Sequence, residues 1–259
     1  MLDTAQNIYL VVLWVTLSIC FLIVLNRLWS PLRRRVHNDV IGWQISIVGT
    51  IYAVMIGFML YAVWANFQTA ETNANNEANA LVNLFRSADG LPASQRDAIQ
   101  IASAGYVDVV LKREWTAMHA GAAPVSGGPY IMQLWAITTR TSAQNFSDQA
   151  CLQQAMAELS DLTRHRRIRI LEARTKMPTI LWTVLVIGGM ITVGSCCLIG
   201  TENFALHFTL IVALSLLISL ALIAIGDIDR PFQGAVHVSR YAFVRAQQTI
   251  LSQGTTPQD

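Results

Sequence analysis

Charge is what this chain has least of. Asp, Glu, Lys and Arg make up 13% of its 259 residues, about half the share of roughly 25% usual in soluble globular chains. The few charges nearly cancel, at a formal +2. No broad basic field exists to draw in nucleic acid, and no such partner is expected. Cysteine is scarce too. Of the four, Cys20, Cys196 and Cys197 fall within apolar runs and Cys151 stands alone, which leaves neither a disulfide framework nor a metal-ligand spacing. Alternating strand patterns are missing, so the fold is expected to be all-α. The five histidines, His37, His119, His165, His207 and His237, are scattered. There is no HExxH, no GxSxG elbow and no phosphate-cradling glycine loop, so neither catalytic residue, metal nor cofactor is expected.

Apolar length is what the chain has in abundance. Hydrophobic residues reach 53%, and four uncharged stretches run Thr4–Asn26, Val40–Ala70, Met177–Thr201 and Asn203–Gly226. Each exceeds the roughly 20 residues an α-helix needs to cross about 30 Å of hydrocarbon. The expectation is an integral membrane protein with four transmembrane helices, divided as 1–67 (spans one and two), 68–176 (a helical extra-membrane block), 177–227 (spans three and four) and 228–259 (a C-terminal tail). Met1–Gln6 lacks a positive n-region and the run after it is too long for a signal h-region, so the first span is expected to stay in place. Tryptophans mark the interfaces: Trp29 and Trp43 on one face of the bilayer, Trp64 and Trp182 on the other.

Two positive-inside counts compete. Arg33, Arg34 and Arg35 after span one would hold that loop inside. Arg164, Arg166, Arg167, Arg169, Arg174 and Lys176 before span three, with Arg230, Arg240 and Arg245 after span four, outnumber them and favour cytoplasmic termini and block. In the block, Gly90 and Pro92 should break the helix that continues from span two, and a second helix should run to about Ala120. Gly121–Pro129 should be a loop, and Tyr130–Phe146 and Ser147–Lys176 helical, with Ser147 as N-cap.

Span two carries the most information. Ser46, Gly49, Ala53 and Gly57 recur at three- and four-residue spacing, a small-residue face on which a second helix can pack closely in lipid. Thr50, Val54, Phe58 and Tyr61 form a separate stripe of larger groups. Turned toward an axis shared by several copies, that stripe would be a hydrophobic constriction that gates by dewetting; otherwise it packs against helices or lipid. Further on, Asn66, Asn73, Asn76 and Asn83 share one helix face beside Glu77, suited to a polar vestibule or to a solvated side. The basic run Arg164–Lys176 suits either anion concentration or headgroup contact. No span interior holds an ionisable Asp, Glu, Lys or Arg, which argues against proton-coupled transport and membrane catalysis. Glu202, His207 and Asp227 are the remaining polar candidates, and helix ends separate them.

Several segments together form a recognisable set: Arg33-Arg34-Arg35-Val36-His37-Asn38-Asp39, Ile56-Gly57-Phe58 leading to Trp64, Glu77-Ala78, Glu114-Trp115-x-x-Met118, and Asp229-Arg230-Pro231-Phe232-x-Gly234. From about Leu25 to Phe243 the chain resembles the bestrophin-like family of bacterial membrane proteins, which is distantly similar to the bestrophin anion channels. That resemblance implies a homo-oligomer, a pentamer as in bestrophins, in a bacterial inner membrane, passing small anions passively along span two. By it, Phe58, Val54 and Thr50 take the positions of a hydrophobic neck, with Thr50 departing from the apolar pattern. Gln233–Ser239 has no acidic residue, unlike the acidic clasp of calcium-gated members, which argues against calcium gating. The competing expectation is a non-conducting scaffold or sensor whose block binds a partner.

Overall fold

The computed structural model describes residues 4–254. Residues 1–3 and 255–259, which hold part of the Met1–Gln6 segment and the end of the tail, lie outside the described residues. Ten α-helices are found among those described: α1 Thr4–Leu28, α2 Pro31–Arg35, α3 Asn38–Ser87, α4 Ala93–Val109, α5 Trp115–His119, α6 Gly128–Arg140, α7 Phe146–Glu172, α8 Thr179–Cys197, α9 Phe204–Ile228 and α10 Tyr241–Gly254. No strand is present among the described residues. Four helices are long and apolar enough to cross a membrane: Gln6–Leu28, Asn38–Gly90, Thr179–Cys197 and Phe204–Ile228.

The chain forms two compact units. Among the described residues, one comprises 4–65 and 176–229, the other 66–175 and 230–254. Residues 230–254 thus group with the block.

In the first unit α1 lies along α9, and α8 packs on both. Leu22, Tyr52, Val193, Cys197, Ile211 and Ile218 form one buried cluster, and Val63, Leu185 and Ile225 another. With little water to exclude, close approach decides contact in lipid. Gly188 and Gly189 provide it, since an added Cβ would stand 2.8 Å from the Tyr52 ring and hydroxyl respectively. Tyr52 donates its buried hydroxyl to the Leu185 carbonyl at 3.0 Å. Trp182, assigned to an interfacial belt by sequence, also packs against the Val63 cluster.

The loop between α1 and α3 is tied to the turn after α8. Asn38 Nδ2 donates to the Gly200 carbonyl at 2.8 Å and Asn38 Oδ1 accepts from the Gly200 amide at 2.9 Å. The buried Arg34 donates to the Cys197 carbonyl at 2.7 Å, satisfying an orphan group at a helix C-terminus, and also to Asn26 Oδ1. Arg35 pairs with Glu202.

In the second unit, Ala70, Ala74, Leu81, Leu84 and Phe85 of α3 are buried at helical spacing, and Ile99, Leu134, Leu159, Leu162 and Ile250 on other helices of the unit are buried as well. Two sequence expectations shift here. The helix expected to reach Phe146 stops at Arg140, with Thr141 extended. The N-cap of α7 is Asn145, not Ser147: Asn145 Oδ1 accepts from the Asp148 amide at 2.8 Å, while Asp148 accepts from the Gln144 amide at 3.1 Å. A reciprocal exchange of this kind satisfies donors that Ser147, one residue inside the helix, cannot reach.

Candidate functional site

The stripe on α3 is uncovered within the first unit. Tyr52, Met55, Ile56, Met59 and Val63 turn toward α8 and α9, which leaves the opposite face outward. Val54 is 51% exposed, Phe58 67% and Tyr61 72%, and Thr50 is exposed too. Val54, Gly57, Phe58 and Tyr61 line an open hollow of about 460 Å³. Ser46 and Ala53 are likewise exposed, and a Cβ added at Gly49 or Gly57 would meet nothing within 4 Å. The small-residue face seen in the sequence therefore has no partner helix among the described residues of its own chain. Gly188 and Gly189 on α8 do take close neighbours and are not among the glycines the sequence reading singles out. Their GG pair within an apolar run was the available signal.

The amide row divides. Asn66, Asn76 and Asn83 are exposed. Asn73 is buried, donating to Glu172 Oε1 at 2.7 Å and lying 3.1 Å from His165 Nδ1. Burial raises the Glu172 carboxyl above its ordinary range, with the Asn73 hydrogen bond opposing. Its second oxygen has no partner.

Glu77 leaves the exposed row altogether, because it is fully buried at the centre of an ion cluster. Glu77 takes a two-pronged bond from Arg169, at 2.6 Å to Nε and 2.9 Å to Nη2, and accepts from the Tyr106 hydroxyl at 2.5 Å. Arg169 Nη2 reaches Glu114 at 2.8 Å, and Glu114 also accepts from Arg166 and from the Gly127 amide, each at 2.7 Å. Two carboxylates face two guanidiniums, and Glu77, Glu114 and Arg169 are each 0% exposed. Burial alone would pull the Arg169 guanidinium down, but Glu77 and Glu114 more than reverse it and hold it well above its usual value. Burial and the neighbouring Glu77 charge push the Tyr106 phenol up. Sequence reasoning placed Arg166 and Arg169 on a basic surface run. Arg166 is in fact nearly buried and Arg169 wholly so, while Arg164, Arg167, Arg174 and Lys176 remain outward.

A π-helical turn over Val110–Glu114 brings Glu114 to this cluster; the extra residue rotates the helix face that follows. Trp115 then packs on Phe232 and Phe243 at 5.8 and 5.6 Å between ring centroids, and the Arg169 guanidinium lies 5.7 Å from the Phe243 ring. The segment Asp229-Arg230-Pro231-Phe232-x-Gly234 closes a turn in which the Val238 amide donates to the Pro231 carbonyl at 2.7 Å. Gly234 adopts φ 80° there, a region open to glycine. Asp229 accepts from the Met177 amide at 2.9 Å. Glu77, Glu114, Trp115, Met118 and Phe232, dispersed in the sequence, thus meet around Arg169, with the Met118 sulfur 3.4 Å from Nη1.

The remaining polar candidates are held separately: Glu202 by Arg35, His207 by the Cys196 carbonyl at 3.1 Å, and Asp227 by Asn7 at 3.5 Å. They do not assemble into one site.

Four membrane-crossing helices and a helical block organised around a buried charge cluster define a polytopic all-α integral membrane protein. A bestrophin-like domain matches residues 11–243, and the chain belongs to the bestrophin-like family. Its fold is similar to crystal structures of a bacterial bestrophin homologue from Klebsiella pneumoniae. One, of a single-site variant, has a TM-score of 0.67 at 16% identity over 97% of this chain and 100% of that one. Another has a TM-score of 0.67 at 15% identity over 96% and 99%. No curated protein matches.

Proposed function

We propose that this chain assembles with copies of itself, as a pentamer, into a passive channel for small anions in a bacterial inner membrane. The observation that carries the reading is the outward stripe of Thr50, Val54, Phe58 and Tyr61 on a helix whose opposite face is already packed. Arranged around an axis, Val54 and Phe58 make a dewetting constriction, Thr50 wets one side and Tyr61 flanks the other. Ser46, Gly49, Ala53 and Gly57 give neighbouring subunits the close approach that association in lipid requires.

The vestibule reduces to Asn66 and Asn76, since Asn73 and Glu77 are turned inward. Arg164, Arg167, Arg174 and Lys176, outward in the block, supply positive potential for anions. Their number favours a cytoplasmic block and termini. On this reading the protein acts as a conduit rather than an enzyme, as its family supports. Membership of the bestrophin-like family supports a channel over a non-conducting scaffold.

Reconstitution into liposomes after native mass measurement tests this. An oligomer with passive halide flux is expected. A monomer in detergent and membranes, or an intact oligomer with no flux, overturns it in favour of the scaffold.

A further inference from the structure

Outside the ion cluster and the spans, one pair of side chains has chemistry that nothing above uses. His119 ends α5 and His237 lies in the turn after α9, and their rings stand 5.2 Å apart between centroids at 69°. His237 is exposed and His119 partly so, which leaves the pair accessible to solute. We propose that His119 and His237 form a binding site for a divalent transition-metal ion of the zinc, nickel or copper class.

Three observations carry this. First, the spacing fits. A tetrahedral zinc about 2.0–2.1 Å from each imidazole nitrogen lies about 3.2 Å from each ring centroid, so two rings on one ion stand about 5.2 Å apart.

Second, the tautomer fits. His237 Nδ1 lies 3.3 Å from the Gly234 carbonyl. A carbonyl only accepts, so that bond puts the proton on Nδ1 and leaves Nε2 its lone pair, the arrangement by which ligating histidines are commonly oriented.

Third, the two segments are already held together by other means. Gly121 and Gly234 each adopt a positive φ, of 76° and 80°. A Cβ at Gly121 would stand 3.4 Å from the Gln233 side chain, so the turn bearing His237 sits against the end of α5 without help from the histidines. A preorganised pair loses little entropy on binding.

Ligand softness sets the class. Calcium and magnesium take oxygen donors, whereas imidazole suits zinc, copper and nickel. Two protein nitrogens leave the remaining positions to water, so the ion would act as a reversible staple between α5 and the turn that closes the Asp229–Gly234 segment.

The test uses full-length protein purified in detergent on an affinity tag without histidine, stripped with chelator, then loaded with zinc, calcium or magnesium and desalted. One zinc retained per chain is expected, with no calcium or magnesium, and zinc should raise the melting temperature by a few °C. His237→Phe keeps an aromatic ring against His119 and should melt near the parent temperature without zinc, yet retain no metal. His119→Cys should keep the ion, because a thiolate is also a zinc ligand. His37→Ala should change nothing. Failure of the parent to retain zinc, or equal retention by folded His237→Phe, overturns the site and shows edge-to-face ring packing alone. None of these outcomes depends on ion conduction, so the inference stands or falls apart from the channel reading.

Discussion

At the scale of single residues, Arg169 sits at the centre of the block's buried charge cluster. Its guanidinium neutralises two fully buried carboxylates, Glu77 and Glu114. Removing one partner of such a pair is costly because the others keep an uncompensated buried charge. Arg169→Met should therefore lose about 3–5 kcal/mol of stability, read as a large drop in melting temperature in detergent, whereas Arg167→Met, outward on the same helix, should melt like the parent. Glu172 sets a pH dependence of opposite kind. Its carboxyl is raised by burial, so the folded state holds the proton more tightly than the unfolded chain. That contribution is complete below the unfolded value and is lost as pH rises through the folded one. Glu172→Gln should match the parent at acidic pH and exceed it in melting temperature at neutral pH. Equal melting at both would show that the buried, unpartnered oxygen carries no penalty. The sequence displayed Glu77, Glu114 and Arg169 as separate letters. Their meeting requires helices α3 and α7 and the π-turn to converge, and no local pattern encodes that.

At the scale of elements, the four spans follow from composition, because an uninterrupted apolar run of this length has no other stable form in lipid. Caps and joints were less legible. Asn145 and Asp148 did carry a capping signature, but the adjacent Ser147 offered a second choice of the same chemistry. The joint at Gly200 was invisible, since neither Gly200 nor Asn38 is unusual in its own neighbourhood. There an added Cβ would press on the Pro31 carbonyl and the Arg35 amide, with the Arg34 carbonyl carbon only 2.9 Å away. Backbone cannot yield as a side-chain tip can. Gly200→Val should cost about 1–3 kcal/mol by overpacking, measured as a lower melting temperature, and Asn38→Ala should weaken the same joint by leaving the Gly200 amide unpaired. Unchanged melting in Gly200→Val would mean that the two loops separate freely.

At the scale of the whole molecule, the proposed channel depends on the outward Phe58 stripe. Phe58→Ala removes the largest apolar group from the proposed constriction, so halide flux through reconstituted oligomers should rise several-fold without change in subunit number. Flux identical to the parent would move the constriction elsewhere. The family signature acquires a physical sense at this scale too. Glu77, Glu114, Trp115 and Phe232 meet around one arginine and brace the block, while Arg34 and Asn38 bind the turn after α8 within the unit that carries the stripe.

Sequence alone determined the helical class and the four crossings, because apolar length is a local property that each segment carries by itself. Tertiary structure alone decided which face of span two is packed, which asparagines point outward, and that the arginines before span three include the keystone of a buried cluster. Those outcomes depend on contacts between residues about 90 positions apart, such as Glu77 with Arg169, where burial converts a surface-like charge into a structural one.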